Sequence, residues 1–153
     1  ELQRLANKIK STKNVFFIGK NYDYITACEA SLKLKEISYI NCSALPAGEL
    51  KHGTLALVEK GVQVIAISTE KRLASKVENA TNETLSRGAS ALTITTLDKE
   101  FSHSQVISLP HIKTELAPML SIVPLWLMSY FVSISKSINP DSPRNLAKSV
   151  TVE

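Results

Sequence analysis

Apolar positions along this chain fall into two rhythms. Residues Asn14–Gly19 (Asn-Val-Phe-Phe-Ile-Gly) form a continuous apolar run closed by glycine, which predicts a buried strand followed by a turn. Runs of the same kind at 62–67, 91–95 and 105–109 predict further strands, as does 39–44, which ends at the breaker Leu45-Pro46-Ala47-Gly48. Between the runs the period lengthens. Residues 2–10 read as a short helix, and 24–37 as a longer one, with Ile25, Cys28, Leu32 and Lys35 drifting around one side. Residues 49–57 are short helical or irregular structure, and 71–86 a polar-faced helix closed by Gly88. A long apolar helix over 116–135 precedes the C-terminal tail.

Strands that are apolar throughout and alternate with helices require a parallel sheet covered on both faces. Right-handed crossovers then lead to an α/β three-layer sandwich with a five-stranded, flavodoxin-like sheet. The 153 residues are read as a single domain that includes the tail 141–153. In sheets of this type ligands bind beyond the carboxyl ends of the strands, which directs attention to the loops after Ile18, Ala44 and Ile67.

Composition adds exclusions. The formal net charge of +4 is spread over scattered lysines, without the basic runs or interleaved aromatics of a nucleic-acid binder. The uncharged stretch 116–135 is long enough to cross a bilayer, but Pro118, Pro124 and four serines favour a buried helix of a layered domain. Cys28 and Cys42 have no metal-ligand spacing and fit buried thiols of a reducing, cytoplasmic compartment. No cofactor-binding or phosphate-loop glycine pattern is present. The chain opens on Glu rather than Met, so it is read as a segment of a longer polypeptide.

Three places can carry chemistry. Glu29, Lys33 and Glu36 stand at i, i+4 and i+7 on one helix face among Leu32, Leu34 and Ile37. This is either a solvated salt-bridge ladder or an acid/base pair whose pKa values burial pushes apart, the carboxylate up and the lysine down. His52, in Gly48-Glu49-Leu50-Lys51-His52-Gly53, follows a strand-ending breaker and is a candidate for proton transfer, as imidazoles are in general, although most loop histidines are plain surface residues. The tail Pro143-Arg144-Asn145-Leu146-Ala147-Lys148-Ser149-Val150-Thr151-Val152-Glu153 is either an extended segment packing its valines and leucine, or a strap that delivers Lys148 into a pocket.

The segments from Cys28 to Tyr39, from Pro46 to Gly53 and from Asp141 to Glu153 closely resemble the isomerase domain of the glucosamine-6-phosphate synthases, specifically the second of its two sugar-isomerase (SIS) subdomains. The loop and the tail are the specific motifs; the Leu-Lys-Leu-Lys-Glu helix recurs more widely among SIS proteins. The resemblance implies amination of fructose 6-phosphate with glutamine-derived ammonia, then a C1-to-C2 proton shift giving glucosamine 6-phosphate. Carried over, Glu36 is the base that moves the proton and Lys33 relays a proton at a sugar hydroxyl. His52 opens the ring from across a homodimer interface, and Lys148 forms an imine with the ketose. Glu29, Arg144 and Ala147 contact or surround the substrate. Thr54 departs from the family, which commonly has proline there. The phosphate-gripping first SIS subdomain and the glutaminase domain lie outside these residues, so little activity is expected of them alone. A deglycase-like SIS enzyme and a non-catalytic sugar-phosphate-binding module are the alternatives.

Overall fold

The computed structural model describes residues 2–101 and 105–146. Four α-helices and five strands follow in the order α1 Leu2–Ile9, β1 Asn14–Gly19, α2 Tyr22–Ser38, β2 Asn41–Pro46, β3 Gln63–Ser68, α3 Ala74–Leu85, β4 Ser90–Thr95, β5 Gln105–Ser108 and α4 Ala117–Ser135, with only short 3₁₀ turns between β2 and β3. The strands form one sheet in the order β2-β1-β3-β4-β5, and every adjacent pair is parallel. This is the expected doubly wound topology, with its switch point between β1 and β3.

Strand alternation sorts the core into two layers. Val15, Phe17, Ile65 and Ile67 face the side covered by α1, α2 and α4, where they meet Ile9, Leu34, Leu125 and Met128. Phe16, Ile18, Val64 and Ala66 face the other side, where Val77 and Ala80 of α3 and Leu50 of the β2–β3 connection close over them. Each of the central strands is therefore apolar on both faces, as a covered parallel sheet demands.

The turn from β1 into α2 fixes where α2 begins. A Cβ on Gly19 would lie 2.5 Å from the backbone carbon and oxygen of Asp23, so only glycine permits this approach. Asp23 then ties the helix to the end of β3. Its carboxylate accepts the Thr69 backbone N–H at 2.8 Å and the Thr69 hydroxyl at 2.5 Å. Burial raises the Asp23 pKa, against the lowering effect of those hydrogen bonds, and the neighbouring Glu70 carboxylate adds to the rise.

Three expectations need correction. Strand β2 starts later than 39 because Tyr39 caps α2 in the left-handed region (φ 60°), its N–H returning to the Lys35 carbonyl. It also continues through Leu45 to Pro46, which an edge strand tolerates. Cys28 is not the buried thiol expected, because the side of α2 bearing Ile25, Cys28, Leu32 and Lys35 faces outward; the inward face is Thr26, Ala27, Ala30, Ser31, Leu34 and Ser38. Small residues predominate there because α2 is wedged between the sheet and α4. Finally, α4 is buried along one face only. Ser121, Pro124, Leu125, Met128 and Val132 point inward, while Met119, Val123, Trp126, Leu127, Tyr130 and Ile134 are exposed. Pro118 sits in the first turn, where no N–H is missed, and the helix runs on through Pro124. By length and composition alone 114–135 could cross a membrane; here it packs on α1 and α2.

Candidate functional site

Helix α2 brings two of the expected residues into contact. The Lys33 ammonium donates to Glu36 Oε2 at 2.9 Å, one turn apart, with both side chains partly exposed. Glu29 lies one turn earlier and acts on Lys33 through its charge. The Lys33 pKa is raised, first by the hydrogen bond it donates to Glu36, with desolvation opposing and the charges of Glu36 and Glu29 adding. The lowered lysine pKa expected from partial burial is therefore not found, because the adjacent carboxylate outweighs desolvation. In this state Lys33 is a firmly protonated donor.

The C-terminal segment reaches the same end of α2. The Arg144 backbone N–H donates to the Tyr39 hydroxyl at 2.8 Å, and its guanidinium lies 4.1 Å from the centroid of the Tyr39 ring. Tyr39 is the cap of α2, three residues beyond Glu36. The path from α4 to this point is shaped by Ser133, whose hydroxyl donates to the Ile138 carbonyl at 2.9 Å, and by Ser137 and Asn145 at positive φ. Ala147 and Lys148 lie outside the described residues.

His52 is elsewhere. It ends a 3₁₀ turn, Glu49–Lys51, and is exposed. Leu50 anchors that turn in the core layer under α3, and Lys51 pairs with Glu83 of α3 at 2.9 Å. Gly53, at φ +116°, supplies the sharp exit, and Thr54 opens the next 3₁₀ turn. The His52 loop is thus on the α3 face of the sheet, whereas Lys33, Glu36 and Arg144 gather with α2 and α4 on the opposite face.

The crevice at the switch point is separate again. It has a volume of about 460 Å³, and Asn21, Tyr22, Glu70 and Arg72 are among its lining residues. Of the residues expected to act on substrate, the described ones, Glu29, Lys33, Glu36, His52 and Arg144, do not line it, so the strand-end rule does not lead to the Lys33–Glu36 pair. That pair sits on the last two turns of α2, toward the edge where the strands begin, because the helix runs back antiparallel to β1. The Asp23–Thr69 clamp was also missed from the sequence. It joins residues 46 apart, and the one available cue was an acidic residue in a first helical turn. Among the described residues no group of three or more His, Cys, Asp and Glu could hold a metal ion.

An all-parallel 2-1-3-4-5 sheet with a charged pair on its first crossover helix defines a class that the comparisons identify. The SIS domain family model matches residues 8–136, and the chain belongs to that family. A glutamine–fructose-6-phosphate aminotransferase [isomerizing] from Clostridium tetani is 46% identical over 99% of this chain. One from Oceanobacillus iheyensis is 42% identical over 100% of it. The chain spans 26% of the length of each of these relatives. Among solved structures, the C-terminal domain of the Francisella tularensis glucosamine-fructose-6-phosphate aminotransferase is 33% identical, with a TM-score of 0.86 over 92% of this chain and 41% of that one. A glucosamine-6-phosphate deaminase from Thermotoga maritima is 25% identical, with a TM-score of 0.75 over 97% of this chain and 44% of that one.

Proposed function

We propose that this chain supplies the C-terminal half of an isomerase centre that converts fructose 6-phosphate and glutamine-derived ammonia to glucosamine 6-phosphate. The observation that carries the reading is the convergence of two distant segments on one helix end: Lys33 and Glu36 on α2, and the tail held at Arg144 by Tyr39. Lys148 follows Arg144 by four residues, a chain reach of at most roughly 14 Å.

The chemistry distributes as follows. The Lys148 amine attacks C2 of the open ketose and water leaves, giving an imine; exchange with ammonia then places the nitrogen on the sugar. The Glu36 carboxylate takes the C1 proton and returns it at C2, a transfer one carboxylate can perform between adjacent carbons. Lys33, protonated by virtue of Glu36, donates to a substrate oxygen. Glu29, Arg144 and Ala147 border the sugar.

His52 opens the ring in a neighbouring subunit. Its place on the opposite sheet face from Glu36 supports a homodimer in which each centre borrows the other copy's histidine. The outward row on α4, with Ile25 and Leu32 of α2, supports packing against a further SIS-type subdomain of the same polypeptide, because an apolar patch of this extent marks an interface. The setting is cytoplasmic.

Borohydride trapping tests the reading in the intact polypeptide. With fructose 6-phosphate, reduction of the imine fixes the sugar on Lys148, and peptide mass spectrometry locates it. Trapping on another lysine, or none, overturns the assignment. Mixing a Glu36→Gln variant with a His52→Ala variant tests the sharing: activity reappears in the mixture because hybrid dimers contain one centre with both groups. Mixtures as inactive as their parents refute it.

A further inference from the structure

A second cleft lies on the α3 face. It is lined by Lys20, Ala47, Gly48, Lys51, Lys76, Asn79, Ala80 and Glu83, with a volume of about 210 Å³. Its walls come from three elements: the residue after β1, the residues after β2, and one side of α3. The Ala47 N–H donates to the Gly19 carbonyl at 2.8 Å, so the two strand ends that form one wall are joined.

The charge in this cleft is unbalanced. Three lysines face one carboxylate, Glu83, and Lys51 pairs with it. Lys20 and Lys76 form no ion pair among the described residues. Lys20 is directed inward, because a Cβ built on Gly48 would meet its ammonium nitrogen at 3.6 Å. The ammonium thus lies at contact distance over Gly48, within reach of any side chain placed there. The Asn79 amide adds a neutral donor on the α3 side.

We infer that this cleft is an anion site for a compact phosphate group, formed by Lys20 and Lys76 with Asn79 and distinct from the Lys33–Glu36 centre on the other face of the sheet. Ammonium groups that line one concavity repel one another, and a doubly charged oxyanion between them reverses the sign of that term. The volume is below the ~300 Å³ at which small-molecule sites usually begin. It suits inorganic phosphate or the phosphate end of a larger molecule. The site also has a route to function. Lys51, the neighbour of His52, closes the cleft through Glu83, so an anion that competes with Glu83 for Lys51 changes how the His52 loop is held.

Thermal unfolding of the intact polypeptide tests the inference, with inorganic phosphate titrated against chloride at matched ionic strength. A site that binds only the folded state lowers the unfolding equilibrium constant about 11-fold at tenfold excess over Kd. The expected result is a saturable rise in Tm with phosphate and not with chloride. The part due to this cleft disappears in the Lys20→Gln/Lys76→Gln double variant. Gly48→Asp provides an independent check, because it places a carboxylate beside Lys20 while leaving both lysines in position, and it also abolishes that part of the response. Hydrogen exchange at the amides of residues 49–53 should change on phosphate addition in the wild type alone. An equal response to chloride, or a phosphate response undiminished in both variants, overturns the site. These readouts do not involve Lys148 or turnover, so their failure is separable from failure of the isomerase reading.

Discussion

Tyr39 holds Arg144 in two ways, through a 2.8 Å hydrogen bond to its backbone N–H and through a ring 4.1 Å from its guanidinium. One contact fixes the chain and the other fixes the side chain, across 105 residues of sequence. Tyr39→Phe removes the acceptor and keeps the ring. Its expected cost is about 1 kcal/mol or less in stability, with a larger loss in kcat as the tail loses its anchor. Tyr39→Leu removes both contacts and should reduce kcat further. Steady-state kinetics beside thermal melts separate the two effects; equal kcat for wild type and Tyr39→Leu would show that the anchor is irrelevant.

Glu36 should matter far more to turnover than to folding. Its pair with Lys33 is partly exposed, the side chains being 38% and 27% accessible for Lys33 and Glu36, so its contribution is only ~0.3–0.5 kcal/mol. Because the folded Lys33 pKa is above its ordinary 10.5, the stabilisation is fully present below that value and is lost as pH rises through the raised pKa. Glu36→Gln therefore costs a few tenths of a kcal/mol at pH 7, a difference that vanishes at strongly alkaline pH. Its kcat should fall by roughly 10²–10⁴, the range of general base catalysis. Urea melts across pH give the first quantity and initial rates the second.

Asp23 is a structural carboxylate. Asp23→Ala leaves the Thr69 N–H without its partner at a buried position and should cost about 1–3 kcal/mol. Asp23→Asn keeps an acceptor for that N–H and should cost less. The raised pKa of Asp23 means that the folded state holds its proton more tightly than the unfolded chain does. Its contribution to stability is thus greatest below the ordinary 3.8 and declines as pH climbs through the raised value. Denaturant midpoints measured from acid to neutral pH should show this decline in the wild type and not in Asp23→Asn.

The two thiols should react very differently. Cys42 is buried in the core layer, and desolvation pushes its pKa up to about 12, with Lys35 and Lys136 only partly opposing. Cys28 is exposed on α2. A thiol reagent at neutral pH should modify Cys28 in the native protein and reach Cys42 only after denaturation. Rapid native labelling of Cys42, located by peptide mapping, would contradict the buried placement.

Strand runs such as Val15–Ile18 were legible in the sequence because a sheet covered on both faces needs apolar residues at every position, and no other element of that length does. The pairing of Lys33 with Glu36 was legible for a similar reason, since helical spacing alone puts them on one face. The inward side of α2 was not. Apolar residues stand on both of its sides, and the choice of Ala27 and Ala30 over Ile25 and Leu32 is made by the narrow space beneath α4. The position of His52 was equally hidden. Whether the segment after β2 turns to one face or the other depends on where Leu50 finds its cavity, which is a tertiary fact. The direction of the Lys33 shift was hidden for another reason: the Glu36 carboxylate beside it outweighs the desolvation that partial burial imposes.

The exposed row on α4, from Met119 through Trp126 to Ile134, separates two events in the life of this domain. The sheet and its two core layers can close without covering that row, so folding is complete while a strip of oily surface is still wet. An exposed apolar strip of this kind favours self-association, so a copy that leaves it bare is expected to aggregate more readily than its folded stability alone implies. Production yield would then depend less on melting temperature than on how soon that strip is hidden.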